Sequence, residues 1–155
     1  MKIIKKILLG LLLVLIVMQF IRPDKNQSEE IPVTDIIFAT KPSDEIASIL
    51  KTSCYDCHSN NTEYPWYANV APVSYWISDH VDHGKGHLNF SEWETYTDKK
   101  KAHKMEEIAE EVEAHKMPLE SYLWMHGEAK LSQGQIDLLV NWAKTTQVKY
   151  ESALK

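Results

Sequence analysis

Cysteine and arginine are almost missing from this chain of 155 residues. Cysteine occurs only as Cys54 and Cys57, and arginine only as Arg22. Because no cysteine lies near the N-terminus, the sequence offers no site for an N-terminal lipid anchor. Because there is no second cysteine pair, a zinc site would have to complete its ligands with histidine. There is also no internal repeat and no low-complexity segment, and the length suits one domain with an appendage.

Acidic residues are absent from the first 22 positions, which contain four basic residues: Lys2, Lys5, Lys6 and Arg22. The rest of the chain therefore carries 13 of the 17 basic residues and all 22 acidic residues, a net charge of −9 against −5 for the whole chain. This balance argues against nucleic acid as a partner and favours a partner protein with a basic surface.

The N-terminus combines a basic stretch with a long apolar run. Residues 1–6 include three lysines and no acid, and residues 7–21 are apolar except for Gly10 and Gln19. The end of the run lacks the A-x-A pattern of a cleaved secretory signal, so an uncleaved signal anchor that crosses the membrane is favoured. Lysines before the run predict a single-pass protein of the cytoplasmic membrane, with the remaining chain on the outer, periplasmic side.

The sequence after the apolar run predicts an all-α domain. Ser43 and the two acids after it indicate the start of a helix that runs into Cys54. Further helices are predicted over residues 73–81, ended by Gly84 and Gly86, over residues 98–116, and from Ser132, where Gln135 completes a capping box.

These patterns divide the chain into four segments. The stretch from Ile31 to Thr40 contains a proline and β-branched residues and is predicted to be extended. The segments are an anchor over residues 1–23, a tether over 24–40, a helical domain over 41–146 and a C-terminal tail over 147–155.

The chemistry-bearing motif is Cys54-Tyr55-Asp56-Cys57-His58, a C-x-x-C-H sequence. This pattern is typical of covalent attachment of a c-type haem. Two intervening residues make about one helical turn, so both sulfurs can face the same porphyrin edge and form thioethers with its vinyl groups. His58, next in the chain, can then bind the iron as proximal ligand. The motif predicts one covalently bound haem c.

Met117, followed by Pro118, is the predicted distal iron ligand. The pair lies on an irregular stretch between two predicted helices, so a loop can carry the sulfur over the second haem face. A thioether is a soft, neutral ligand that favours ferrous iron and raises the reduction potential. Met105 lies on a regular core stripe and Met125 in a short aromatic turn, which makes both weaker candidates.

Histidine is the rival distal ligand, and His80 is the first choice among the six histidines besides the one in the motif. His80, His83 and His87 have the spacing of one helical face. With Asp79 and Asp82 they form a second hypothesis, a site for a divalent metal ion.

The motif and several short segments that follow it form a pattern known from one protein family. They are residues 54–59, 64–67 and 88–93, Ala71-Pro72, His80-Val81, Gly84-Lys85, Met117-Pro118, Tyr122, His126, Leu131-Ser132 and Trp142. This set resembles the bacterial haem-binding domain family, small membrane-anchored monohaem proteins of cytochrome c type. The resemblance covers residues 37–144.

The resemblance implies a mostly helical, cytochrome c-like pocket around one haem. It implies Cys54 and Cys57 as attachment points, His58 as proximal ligand and Met117 as distal ligand. Lys85 stands where the family pattern leads us to expect arginine. If this position neutralises a haem propionate, lysine keeps the charge but loses the bidentate geometry of arginine.

Three functions remain open from the sequence. The leading one is electron transfer, because a haem with both axial positions filled has no free coordination site, and we find no catalytic acid–base pair; the chain is therefore predicted not to be an enzyme. The second is a haem-based enzyme or a gas or redox sensor with a displaceable distal ligand. The third is a haem-free zinc or dithiol protein, since C-x-x-C also serves thioredoxin-like catalysts.

Overall fold

The computed structural model describes residues 2–28 and 30–154, and these residues confirm the all-α prediction. The only strand-like pairing among them is an isolated bridge between Gln27 and Asn61. The α-helices are α1 (Lys2–Met18), α2 (Ile36–Thr40), α3 (Asp44–Ser53), α4 (Tyr55–His58), α5 (Val73–His87), α6 (Asp98–Glu113), α7 (Glu120–Leu123) and α8 (Gln133–Ala153), with 3₁₀ helices at Trp66–Asn69, Phe90–Thr95 and Gly127–Ala129.

The N-terminal helix is shorter than the sequence indicates. The apolar run extends to Ile21, but α1 ends at Met18, after 17 residues. The side chain of the next residue, Gln19, pairs with the backbone of Ala71: Nε2 donates to the carbonyl over 3.2 Å, and Oε1 accepts from the N–H over 3.0 Å. At 1.5 Å per residue α1 is about 26 Å long, less than the roughly 30 Å of bilayer hydrocarbon.

The length of α1 bears on the prediction that the N-terminal helix crosses a membrane. Within residues 2–28 and 30–154, no helix is both long enough and apolar enough to cross a membrane. The predicted transmembrane or signal-anchor helix is therefore wrong, and so is the single-pass location in the cytoplasmic membrane that was derived from it.

The core is built mainly where α6 and α8 pack along each other. The apolar stripes of both helices are buried, as their spacing predicts: Met105, Ile108 and Val112 on α6, and Ile136, Leu139, Val140 and Ala143 on α8. The helix α8 continues to Ala153, beyond the predicted start of a tail. Its Tyr150 accepts a 2.9 Å hydrogen bond from Nε1 of the fully buried Trp93, so residues after 146 also contribute to the core.

The predicted helix starts are confirmed at two places. Ser43 caps α3 by accepting from the N–H of Ile46. Ser132 and Gln135 form the reciprocal capping box at the start of α8. Both signals are local, which is why the sequence alone predicts them.

The predicted end of α5 is wrong, because this helix passes through Gly84 and Gly86 and ends at His87. Gly84 does not terminate the helix but lets it approach α4. A Cβ atom at position 84 would lie 2.4 Å from the carbonyl oxygen of Cys57. Glycine is therefore required by tertiary packing, which local helix-ending rules do not include.

Two further boundaries differ from the predictions. The helix α6 ends at Glu113, before residue 116, and His115 then adopts a left-handed conformation with φ of 56° that turns the chain. Residues 36–40 form the helix α2 and are not extended. Asp35 caps it by accepting from the N–H of Ile37 over 2.9 Å.

Asp35 also connects this early segment to the motif. It is fully buried, and its Oδ1 accepts a hydrogen bond from the hydroxyl of Tyr55 over 2.5 Å. Burial raises the pKa of the Asp35 carboxyl above its ordinary value, and the Tyr55 and Ile37 donors oppose that rise. The chain before residue 41 thus holds the first residue of α4 in place and is part of the domain that forms the site.

Candidate cofactor site

The C-x-x-C-H motif forms a turn of its own at the end of α3. Cys54 has φ −130° and ψ −36°, which separates α3 from α4. Its carbonyl oxygen accepts from the N–H of Cys57 over 3.2 Å and of His58 over 3.0 Å. Tyr55 is buried in the core, so the turn is anchored on one side while both cysteines and His58 remain at a cavity on the other.

All five residues predicted for the site line one cavity of about 570 Å³: Cys54, Cys57, His58, His80 and Met117. This volume is within the roughly 300–1,000 Å³ typical of cofactor and ligand pockets. The walls are largely apolar, with Leu50, Phe90, Ile108, Val112 and Leu139 contributed by different parts of the fold. Sequence-distant residues therefore meet where the motif predicts a cofactor.

His58 has the environment of an iron ligand. Its Nδ1 lies 3.0 Å from the carbonyl oxygen of Gly84 and 3.1 Å from that of Leu88. Because a carbonyl can only accept, Nδ1 carries the proton and Nε2 keeps its lone pair. Burial lowers the pKa of His58 below its ordinary value, so the ring is neutral near pH 7. A neutral imidazole oriented by a hydrogen bond at its other nitrogen is the form that binds a metal.

The surroundings of the two thiols do not favour the thiolate form that a redox dithiol needs. Burial raises the pKa of Cys54 to about 12 and that of Cys57 to about 11. Catalytic and zinc-binding cysteines show the opposite shift, toward the thiolate. Free thiols at an apolar cavity that also contains a neutral histidine fit covalent attachment of haem.

The hypothesis of a separate divalent metal site on α5 gains no support from the structure. Among residues 2–28 and 30–154, no three His, Cys, Asp or Glu side chains are arranged to hold a metal ion. His83 instead lies 3.4 Å from Asp79 through Nδ1 and Oδ1. His80 donates from Nδ1 to the carbonyl of Trp76 over 2.9 Å, and its ring lies tilted at 54° to the Trp76 ring with 4.4 Å between centroids.

The three candidate methionines differ in burial and in position. Met117 is half-buried and lines the cavity from the segment between α6 and α7. Met105 is fully buried in the core, and Met125 is largely exposed, with 63% of its surface accessible. Of these three methionines, Met117 is the one that combines a non-helical position with access to the cavity.

Lys85 does not reach the cavity. Its Nζ lies against Oδ1 of Asn26, on the early segment of the chain. No lysine or arginine is among the cavity-lining residues of the described chain, which include four acids: Asp56, Asp79, Glu107 and Glu111. The propionate role that the resemblance suggests for position 85 therefore has no support in this structure.

Sequence reasoning missed Asp56, the second variable residue of the motif. Its Oδ1 accepts from the N–H of Glu63 over 2.8 Å, and its Oδ2 accepts from the hydroxyl of Tyr122 over 2.7 Å. Its carbonyl also accepts from Oγ1 of Thr62 over 2.7 Å. Asp56 and Tyr122 are 66 positions apart, so no local pattern could have indicated their contact.

Over the described residues, an all-helical fold places the motif cysteines and an oriented histidine at one apolar cavity, as expected of a haem-binding protein. The comparison with family models agrees: the model described as a haem-binding domain matches residues 13–145. The chain belongs to this haem-binding domain family. The comparisons with curated proteins and with solved structures gave no match.

Proposed function

We propose that the chain is a monohaem c-type cytochrome that transfers electrons. Cys54 and Cys57 would each add their S–H across one haem vinyl group, with sulfur bonding one carbon and hydrogen going to the other. Haem then supplies one-electron chemistry at iron. The observation that carries the proposal is the Nδ1 donation from His58 to the carbonyls of Gly84 and Leu88, which leaves Nε2 free beside the motif cysteines.

Met117 is the proposed second axial ligand. It lines the same cavity as His58 but comes from a distant part of the sequence, after α6. With both axial positions filled, no coordination site remains for a substrate, which favours an electron carrier over an enzyme. Apolar walls around the haem would raise the potential further by disfavouring the charged ferric form.

A haem-based enzyme or sensor is the second candidate, and one observation favours it. The helix α7, which follows Met117, contains no buried residue. A ligand on such a weakly packed segment could be displaced, and His80 lines the same cavity as an alternative ligand. The spectroscopic tests of Met117 given in the Discussion distinguish this candidate from an electron carrier.

Covalent attachment is tested by haem staining after denaturing electrophoresis. We expect the wild type, produced in a host that makes c-type cytochromes, to stain, because thioether bonds survive denaturation. The double variant Cys54→Ala/Cys57→Ala should lose the stain entirely. His103→Ala is the control, since His103 is exposed on α6 and contacts only Glu106 and Glu107 among acids. An unstained wild type, or a stained double variant, contradicts the proposal.

The proposed redox partner is a protein with a basic surface. The support is the net charge of −9 after residue 22 and the four acids at the cavity. We expect the rate of electron exchange with a cationic inorganic redox complex to fall as ionic strength rises, and the rate with an anionic complex to rise, because salt screens attraction and repulsion alike. Stopped-flow measurements at several salt concentrations check this. Equal salt dependence for both complexes contradicts an acidic docking surface.

A further inference from the structure

The Asp56 carboxylate joins three parts of the chain at the cavity wall. It lies in α4, between the two cysteines, and accepts from the backbone of Glu63 with one oxygen and from the hydroxyl of Tyr122 with the other. Both Asp56 and Tyr122 are half-buried and line the cavity. A hydrogen bond to a charged acceptor at a half-buried position is stronger than a neutral one, and it fixes both partners.

The segment that carries Met117 has few other attachments. Within the described residues, two side-chain hydrogen bonds join residues 117–126 to other parts of the chain. One is Tyr122 to Asp56, and the other is the 3.3 Å contact between Nε2 of His126 and the hydroxyl of Tyr67. The His126 ring stacks on the Tyr122 ring at 4.1 Å and 11°, so the two attachments are neighbours.

We propose that Tyr122 is a positioning residue that, through its hydrogen bond to Asp56, holds the Met117 segment over the cavity and so keeps the distal ligand in place. The attachment helix and the distal segment are thereby connected directly. This inference rests on the proposed function, since it concerns the ligand of a bound haem. Burial and the neighbouring Asp56 raise the pKa of Tyr122, so its hydroxyl remains a donor at neutral pH.

The test is Tyr122→Phe, which removes the hydroxyl but keeps the ring that stacks on His126. We expect a weaker methionine-to-iron charge-transfer band in the oxidised protein. We also expect added imidazole to bind about tenfold more tightly. Losing a hydrogen bond to a charged group favours, by about that factor, the state in which the Met117 segment has left the iron. Spectral titration of the purified full chain with imidazole measures both effects.

Tyr64→Phe is the matched control. The Tyr64 hydroxyl accepts from the N–H of Asn26 over 2.9 Å, and Tyr64 is in neither of the side-chain hydrogen bonds that hold residues 117–126 within the described chain. This variant should lose a similar amount of thermal stability while its band and imidazole affinity remain those of the wild type. If both tyrosine variants change imidazole affinity equally, the effect is general loosening and the proposal is wrong.

A double-mutant cycle tests whether Tyr122 acts through Asp56. If it does, Tyr122→Phe should have little further effect on imidazole affinity in an Asp56→Ala background. If the effects of the two substitutions on imidazole affinity are fully additive, Tyr122 does not act through Asp56 and the proposed pairing is wrong.

A wild type that stains for haem and shows the band, with Tyr122→Phe unchanged, overturns this inference alone. A wild type that stains without the band overturns the Met117 assignment and this inference with it, whereas an unstained wild type overturns the proposed function itself.

Discussion

Replacing Gly84 with alanine is expected to destabilise the domain by about 3 kcal/mol and to weaken covalent haem attachment. The added Cβ would lie 2.4 Å from the carbonyl oxygen and 3.1 Å from the Cβ of Cys57. Since the first of these atoms belongs to the backbone of the attachment turn, the clash cannot be relieved by rotating a side chain. Either α5 moves away from α4, or the turn distorts.

Both adjustments also affect His58, because its Nδ1 donates to the carbonyl of Gly84 itself. We therefore expect two linked changes in Gly84→Ala: a lower midpoint in thermal denaturation followed by circular dichroism, and less stained haem per mole of protein. Loss of the 3.0 Å contact would leave Nδ1 with the Leu88 carbonyl as its remaining partner of the two, so the imidazole would be held less firmly for its proposed role as iron ligand.

Gly86→Ala is a matched control in the same helix. No atom lies within 4 Å of a Cβ at that position. Alanine is the better helix former by about 1 kcal/mol, so this variant should be as stable as the wild type or more stable. If Gly84→Ala and Gly86→Ala behave alike, the close approach of α5 to the motif is not a requirement of the fold.

The two glycines also show which features the sequence could predict. The caps of α3 and α8 and the core stripes of α6 and α8 follow from neighbours within a few positions, and those predictions are confirmed. The reason for Gly84 lies in a contact with Cys57, 27 positions earlier, so a local rule mistook it for a helix end. The N-terminal prediction failed similarly, since Gln19 contacts the distant Ala71 next to the point where α1 ends.

The candidate site likewise combines features that the sequence predicts with features that depend on distant contacts. The C-x-x-C-H spacing predicts Cys54, Cys57 and His58 because they lie within five positions of one another, and the position of Met117 before a proline predicts a fourth residue. The groups that orient these residues were not predictable: Gly84 and Leu88 hold His58 through backbone carbonyls, which carry no side-chain signal. Asp56 and Tyr122 are 66 positions apart and are brought together by the tertiary structure.

Replacing Met117 with leucine is expected to open the iron without removing the haem. Leucine has a similar volume, so the fold should lose less than about 1.5 kcal/mol, but it has no sulfur. We expect the oxidised protein to lose its methionine-to-iron charge-transfer band and the reduction potential to fall by about 100 mV or more, within the roughly 0.8 V that axial ligands control. The haem stain should be unchanged, because Cys54 and Cys57 are intact.

Carbon monoxide provides the functional measurement. The reduced wild type should bind it slowly or weakly, since the thioether must first leave, whereas reduced Met117→Leu should bind it rapidly. Met105→Leu is the control: Met105 is fully buried in the core and does not line the cavity, so its variant should keep the band and the wild-type response.

The same experiment decides between the two haem-based functions. A band in the wild type that disappears in Met117→Leu but not in Met105→Leu supports an electron carrier with a methionine ligand. If the wild type lacks the band and binds carbon monoxide at once, the Met117 assignment is wrong and an open-site enzyme or sensor is favoured. If the wild type lacks the band and His80→Ala makes the iron accessible to carbon monoxide, His80 is the distal ligand. Its position at the cavity is compatible with that role.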